Sequence, residues 1–318
     1  MGEHSSTDTD DLGLDLGRAL RHGHLMAAID QISEPWSNSI IRAAFLGIRQ
    51  FEAFQQKLCI PRQTLSLRLA YLVKIGLLYK RSYRSQPLRH EYRLTPDGKS
   101  LHENVLASWS WDRRWGDPGK IIPRKLVHSV CLHQFKPLLV CEHCSELLTL
   151  HNVSALVTHR ASPGVSRSVR NHRWRVASTD GDNQMKRDIL AVIDDRWSML
   201  LIAALTLGFH RHDQFLHVLE ISSAVLAQRL KRLVQLKLLK KTPDPRDARR
   251  AYYSLTRIGE DLFPYLLTIT AWGRTRRPSA DTITWQHKPC QRSATGRMVC
   301  SHCHQAILLH EVIRPESS

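Results

Sequence analysis

The chain has 318 residues and carries 46 Lys and Arg against 29 Asp and Glu, a formal net charge of +17. Hydrophobic residues at 42 % and charged residues at 24 % exclude wholesale disorder, and the length suits two or three domains, each with its own core. The longest apolar stretch, Ser198 to Phe209, is too short for a membrane span, which needs about 20 apolar residues.

Residues 1–16 are acidic and polar, without the basic-then-apolar order of a signal peptide, and read as a disordered tail. Trp36 to Leu46 is apolar at helical spacing. Gln50 to Leu58 forms a second short helix, and Cys59-Ile60-Pro61 interrupts it. The next helix, about Arg62 to Ile75, puts Leu65, Leu69 and Leu72 on one face, and Gly76 follows where a left-handed cap is expected. Leu77 to Thr95 then alternates as a basic β-hairpin with Pro87 at its tip. A short helix, a tight turn, an amphipathic second helix and a hairpin make a winged helix-turn-helix.

The chain is written twice. At a displacement of 161 residues Trp36 falls on Trp197, Phe54 on Phe215, Ile60 on Ile221, Leu65 on Leu226, Arg68 on Arg229 and Gly98 on Gly259. A block displaced by 159 pairs His128 with His287, Cys131 with Cys290, Cys141 with Cys300 and Cys144 with Cys303. The expected fold is therefore mainly α with small β-hairpins, two tandem winged helix-turn-helix domains each followed by a small Cys/His zinc-binding hairpin. The boundaries read as 17–116 and 122–153 for the first copy, a basic linker over 154–177, then 178–277 and 281–313.

A winged helix of this charge points to duplex DNA, the second helix entering the major groove and the wing gripping phosphates. The residues placed on that surface in copy one are Arg62, Gln63, Thr64, Ser66, Arg68 and Tyr71, with wing residues Arg84, Arg89 and His90. Copy two offers Ser222, Ser223, Gln228, Arg229, Lys231 and Arg232, with wing residues Arg246, Arg249 and Arg250. Glutamine and arginine can read base edges in bidentate fashion, while Lys, Ser and Thr more often position on phosphates. Arg68 and Arg229 sit beside the leucine stripe and suit either a phosphate contact or an internal ion pair. Trp36 and Trp197 read as core, and Cys59 as a small buried thiol.

The spacing His-x2-Cys-x9-Cys-x2-Cys occurs at His128, Cys131, Cys141 and Cys144, and again at His287, Cys290, Cys300 and Cys303. Three thiolates and an imidazole suit tetrahedral Zn2+ in a structural role with no open position. Two knuckles nine residues apart would close one local hairpin around each ion. His143 with His302 and His151 with His310 recur as competing fourth ligands, and Ser145 and His304 stand where a knuckle often has glycine.

Ile32 and Trp36, Ile193 and Trp197, the F-x6-I turn, the LxxRLxxLxxxGLL helix and the closing EYRLTPDG resemble the HxlR-type winged-helix transcriptional regulators. The likeness runs over about Gly17 to Trp115 and Ser178 to Arg276, with Lys237 and Tyr252 departing from the pattern in copy two. It implies a bacterial regulator of operator DNA. Composition and the acidic N-terminus give a cytoplasmic protein, nucleoid-associated through DNA binding, with repression the expected mode and activation open. Family members usually carry one such domain and bind as homodimers, so two domains imply an intrachain pseudo-dimer, with further self-association open. Some members sense oxidants through a cysteine before the Trp-bearing helix; Leu25–Pro35 and Lys186–Arg196 contain none, so that property is not carried over. The alternative is a protein-interaction scaffold without sequence readout. An enzyme is not expected: P-loop, G-x-S-x-G, H-E-x-x-H and deaminase signatures are all missing.

Overall fold

The computed structural model describes residues 7–33, 36–85, 88–116, 125–158, 189–276 and 282–313. The first helix, α1 (Thr7–His22), overturns the expected disordered tail from Thr7 onward. Its end carries Ala19 and Leu20, both buried, and apolar burial of this kind is what holds a helix that propensity alone leaves marginal. Helices α2 (His24–Ile32), α3 (Ser37–Phe45), α4 (Phe51–Leu58) and α5 (Arg62–Lys74) follow, then the wing strands β1 (Leu78–Ser85) and β2 (Leu88–Leu94). The turn α6 (Pro96–Lys99) leads into α7 (His102–Trp115). Copy two repeats the order as α8 (Leu190–Ile193), α9 (Arg196–Thr206), α10 (His212–Leu219), α11 (Ser223–Gln235), the wing formed by two later strands, α12 (Arg257–Glu260) and α13 (Phe263–Arg276).

The Cys/His segment of copy one holds β3 (Val127–His128), β4 (Pro137–Cys141) and β5 (Val153–Thr158). The copy-two wing is β6 (Leu239–Pro243) and β7 (Ala251–Leu255). Its Cys/His segment holds β8 (Thr282–His287), β9 (Arg292–Ser293), β10 (Gly296–Cys300) and β11 (Val312–Ile313). β5 takes residues 154–158 out of the expected linker; 159–188 lie outside the described residues.

Within each copy, buried leucines seat the second helix of the helix-turn-helix. Leu65, Leu69 and Leu72 are fully buried, as are Leu226 and Leu233, with Leu230 nearly so. Each such side chain contributes about 1.5–3 kcal/mol on leaving water. Gly76 ends α5 with φ +79°, a left-handed value that suits glycine; at the same place in copy two Lys237 adopts φ +59°.

The two copies do not form separate bodies. α2 of copy one packs along α13 of copy two, and α7 packs on α13. Gly273 permits the first contact, since a Cβ there would stand 2.0 Å from the carbonyl oxygen of His24. Polar groups lock the seam. Trp111 donates Nε1–H to the Ile258 carbonyl at 2.9 Å, Trp115 to Asp261 at 2.9 Å, and Trp272 to the Ser100 hydroxyl at 3.0 Å. Asn38 donates to Asp194 at 2.8 Å. Asp112 accepts from the buried guanidinium of Arg42 and, through its other oxygen, from the Ile189 backbone N–H at 2.9 Å.

The Cys/His segments are interleaved as well. β4 pairs antiparallel with β10, β3 with β11, and β5 with β8, each pair joining one copy to the other. The expectation of one local hairpin per copy is corrected here. A five-residue strand such as β4 gains a full ladder from its repeat partner, from Gly296 opposite Cys141 to Cys300 opposite Pro137. Its own following segment supplies only a bridge between Val140 and Leu147.

Candidate nucleic-acid interface and Cys/His clusters

Each helix-turn-helix turns on a residue in the left-handed region, Cys59 at φ +52° and Glu220 at φ +49°. That conformation turns Cys59 outward. It is exposed, with Sγ 3.7 Å from the Gln56 carbonyl, so the buried-thiol reading is corrected. Ser222 caps α11 by accepting from the Val225 N–H at 3.4 Å.

The leucine stripe faces the core, so the opposite side of the second helix faces out. On α5 this side shows Arg62, Gln63 and Ser66 exposed, with Leu67 64 % exposed among them and Thr64 half-buried. On α11 it shows Ser222, Ser223, Gln228 and Lys231 exposed. Other residues in the expected set are engaged within the protein. Tyr71 donates its hydroxyl to the Gln31 carbonyl at 3.2 Å, and burial holds that phenol above its ordinary pKa. Arg232 donates to the Ala191 carbonyl at 3.0 Å. Arg229 is buried and paired to Asp195 at 2.8 Å, which resolves its two readings in favour of the internal ion pair and removes it from the outward face. Arg68 is half-buried, and burial lowers its pKa.

The wings differ. In copy one, Lys80, Arg81 and Arg89 are exposed and His90 is half-buried, while the side chain of Arg84 lies outside the described residues. Glu91 is occupied by Arg93 at 2.7 Å. In copy two, Lys240, Lys241, Arg246, Arg249 and Arg250 are exposed, but the tip is tied by aspartates. Arg249 pairs with Asp247 at 3.1 Å and Arg250 with Asp247 at 3.4 Å, and Asp244 accepts the Arg246 N–H at 2.8 Å. The hydrogen bond from Arg249 holds the Asp247 carboxyl below its usual range.

The eight expected metal ligands do gather in two groups of four, but neither group belongs to one copy. His128 and Cys131 meet Cys300 and Cys303; Cys141 and Cys144 meet His287 and Cys290. In the first group Cys131 Sγ lies 3.9 Å from Cys300 Sγ, and Cys303 Sγ 3.2 Å from His128 Nδ1. In the second, Cys141 Sγ lies 3.8 Å from Cys290 Sγ, and Cys144 and Cys290 lie 3.3 and 3.4 Å from His287 Nδ1. A tetrahedral ion with metal–sulfur bonds of ~2.3 Å sets its sulfurs about 3.8 Å apart. The donor sets and their spacing can therefore hold a metal ion each. Glu311 lies 3.4 Å from His128 Nε2, which leaves Nδ1 as the lone-pair nitrogen facing the thiols. A backbone N–H from Gln305, followed by His128, brings the Cys303 thiol down to about 7. Ser145 and His304 adopt φ +61° and +58°, so the knuckle turn forms without glycine. His151 instead faces Glu260 at 3.2 Å, outside both groups.

The family comparison matches the two helix-turn-helix units. The HxlR-like helix-turn-helix pattern fits residues 31–120 and again 192–281, more than half the chain. The chain belongs to the HxlR-like helix-turn-helix family. Among the relatives of this HxlR-like protein are HTH-type transcriptional regulators from Mycobacterium tuberculosis and Mycobacterium bovis, each 39 % identical over 127 residues, or 40 % of this chain and 80 % of the relative. Those figures give a relative of about 159 residues, the length of one repeat here. A solved transcription-factor structure from Pseudomonas aeruginosa, 26 % identical, covers 42 % of this chain and 86 % of its own at a TM-score of 0.29. HxlR-like membership places the chain among DNA-binding transcription regulators rather than enzymes. Among the described residues no helix is long and apolar enough to cross a membrane.

Proposed function

We propose that this HxlR-like chain is a sequence-specific regulator of double-stranded DNA, acting as a repressor by occupying its operator with both winged helices as one intrachain pseudo-dimer. The observation that carries the reading is the pairing of two outward polar helix faces with a shared core. Gln63 and Gln228 are exposed on α5 and α11, and the copies bearing them are joined through α2, α7 and α13. Relatives that name themselves HTH-type regulators have the length of a single repeat, which suits two of their units fused in one polymer. On this reading Arg62, Gln63, Ser66 and Leu67 read one half-site and Ser222, Ser223, Gln228 and Lys231 the other. Lys80, Arg81 and Arg89, with Lys240, Lys241 and Arg246, hold phosphates.

The metal in this reading is Zn2+, one structural ion in each Cys3His group. A full set of four protein ligands leaves no place for substrate, and each ion ties a His-x2-Cys of one copy to a Cys-x2-Cys of the other. The ions thereby help set the distance between the two reading heads. Half-site centres about 34–36 Å apart follow if both helices lie on one face of the duplex. The two recognition surfaces differ in sequence, so the half-sites differ too.

The test is footprinting on promoter DNA near the encoding gene, with competition by random duplex. A single protected two-part site, bound one chain per duplex and at least about 10³-fold tighter than random DNA, is the expected outcome. Equal affinity for random duplex would refute operator recognition and favour the scaffold reading.

A further inference from the structure

The two-fold pattern of the Cys/His segments breaks beside the first group. There, ligand atoms of Cys131, His133 and His302 lie within 4.8 Å of one another. His133 comes from copy one and His302 from the knuckle of copy two, and their exposed rings stack with centroids 3.6 Å apart and planes 11° apart. His133 Nδ1 stands 2.5 Å from the Cys131 carbonyl oxygen, which can only accept, so Nδ1 carries the proton and Nε2 keeps its lone pair. At the second group the same displacement of 159 gives Cys290, Arg292 and His143. A guanidinium stays protonated and has no lone pair to offer, so the corresponding set there lacks a ligand. Neither DNA readout nor the two four-residue groups uses His133 or His302.

We propose that Cys131, His133 and His302 hold a third metal ion, on one side of the molecule only. The Cys131 thiolate has lone pairs enough to bridge this ion to the structural one. One thiolate and two imidazoles select a borderline divalent ion such as zinc, cobalt or nickel over magnesium or calcium. Three protein ligands leave a coordination position for solvent, and the exposure of both histidines lets the ion exchange with the medium. Binding is weaker than in the four-ligand groups, because the thiolate charge is shared and the stacked rings must turn for both nitrogens to converge. The inference rests on the reading that the two four-residue groups are filled with zinc.

The experiment starts from the full chain holding two zinc ions and titrates it with cobalt(II). Visible cobalt bands and equilibrium dialysis are read while zinc content is followed. The wild-type chain takes up one cobalt per chain with both zinc ions retained. His133→Arg, which copies the residue of the other side, takes up none, as does His302→Ala, each still holding two zinc. Arg292→His completes the second set and takes up two. A chain with two zinc that binds no cobalt, or a His133→Arg variant that binds as much as wild type, overturns the proposal alone. A chain that retains no zinc overturns the two-zinc reading and this inference with it.

Discussion

Removal of the Asp112 carboxylate is expected to be among the most damaging single changes in the protein. Asp112 is 3 % exposed and sits on α7, where it accepts from the guanidinium of Arg42, itself 2 % exposed. Its second oxygen holds the Ile189 N–H of the other copy at 2.9 Å. Asp112→Ala leaves the Arg42 charge buried without this carboxylate, which costs about 3–5 kcal/mol, and strands a buried amide worth about 1–3 kcal/mol. The losses share one site and are not additive, so we expect on the order of 4 kcal/mol in total. For a cooperative unit of this size that is a fall in Tm of about 6–8 °C. Thermal and urea unfolding in the presence of excess zinc measures it. The double variant Arg42→Met with Asp112→Leu supplies the control, because replacing a buried pair by apolar groups of similar volume is often close to neutral. A single variant within about 1 kcal/mol of wild type, or a double variant as damaged as the single, would show that this ion pair does not brace the seam.

Four more outcomes follow from the geometry. His128→Ala should lose one of two zinc ions and open Cys131, Cys300 and Cys303 to alkylation while Cys141, Cys144 and Cys290 stay protected; mass spectrometry that finds Cys141 and Cys144 labelled instead would restore local hairpins. Lys80→Gln with Arg81→Gln should flatten the dependence of log affinity on log salt by up to about 0.9 per phosphate contact removed, across all sequences. Gln63→Ala should instead cost about 1–3 kcal/mol on the operator and relax base preference at one position with the salt slope unchanged; the reverse pattern would misplace both residues. His24, buried between α1 and α13, has its pKa lowered by burial and then by Arg274. The folded state therefore resists protonation: no penalty exists well above the ordinary histidine value of about 6.5, and stability falls as the pH drops below it toward the lower folded value. Relative to His24→Gln, the wild-type chain should lose stability between pH 7.5 and pH 5.5, by at most about 1.4 kcal/mol per pH unit. A pH-independent difference would refute this origin.

Local pattern carried much of the result. Leucines at i, i+4 and i+7 in α5 and α11 state which face is inside, and by exclusion put Gln63 and Gln228 outside, where they are found. The turn chemistry was equally readable, since Gly76 marks the end of α5 and takes the expected positive φ. Composition leaves Cys59 undecided, because a small thiol suits a core as well as a surface; in the structure it is exposed at a left-handed turn residue. Arg229 was ambiguous for a similar reason: its position beside the stripe is the same whether it meets a phosphate or Asp195, and Asp195 lies 34 residues away in sequence.

What the amino-acid order determined by itself was the repeat, the helix-turn-helix and wing of each copy, and the eight thiols and imidazoles that form ligand sets. The repeat shows in the self-similarity of the order, and the rest follows from short-range spacing, which acts through the backbone geometry of a few neighbouring residues. What only the tertiary structure decided was the exchange between copies: β4 on β10, α2 along α13, and His128 with Cys131 facing Cys300 with Cys303. Duplication makes these alternatives chemically alike, because the Cys-x2-Cys of either copy offers the same donors to either histidine. Long-range packing of buried apolar helices and complete strand ladders separates them, and neither is written in the spacing of the ligands.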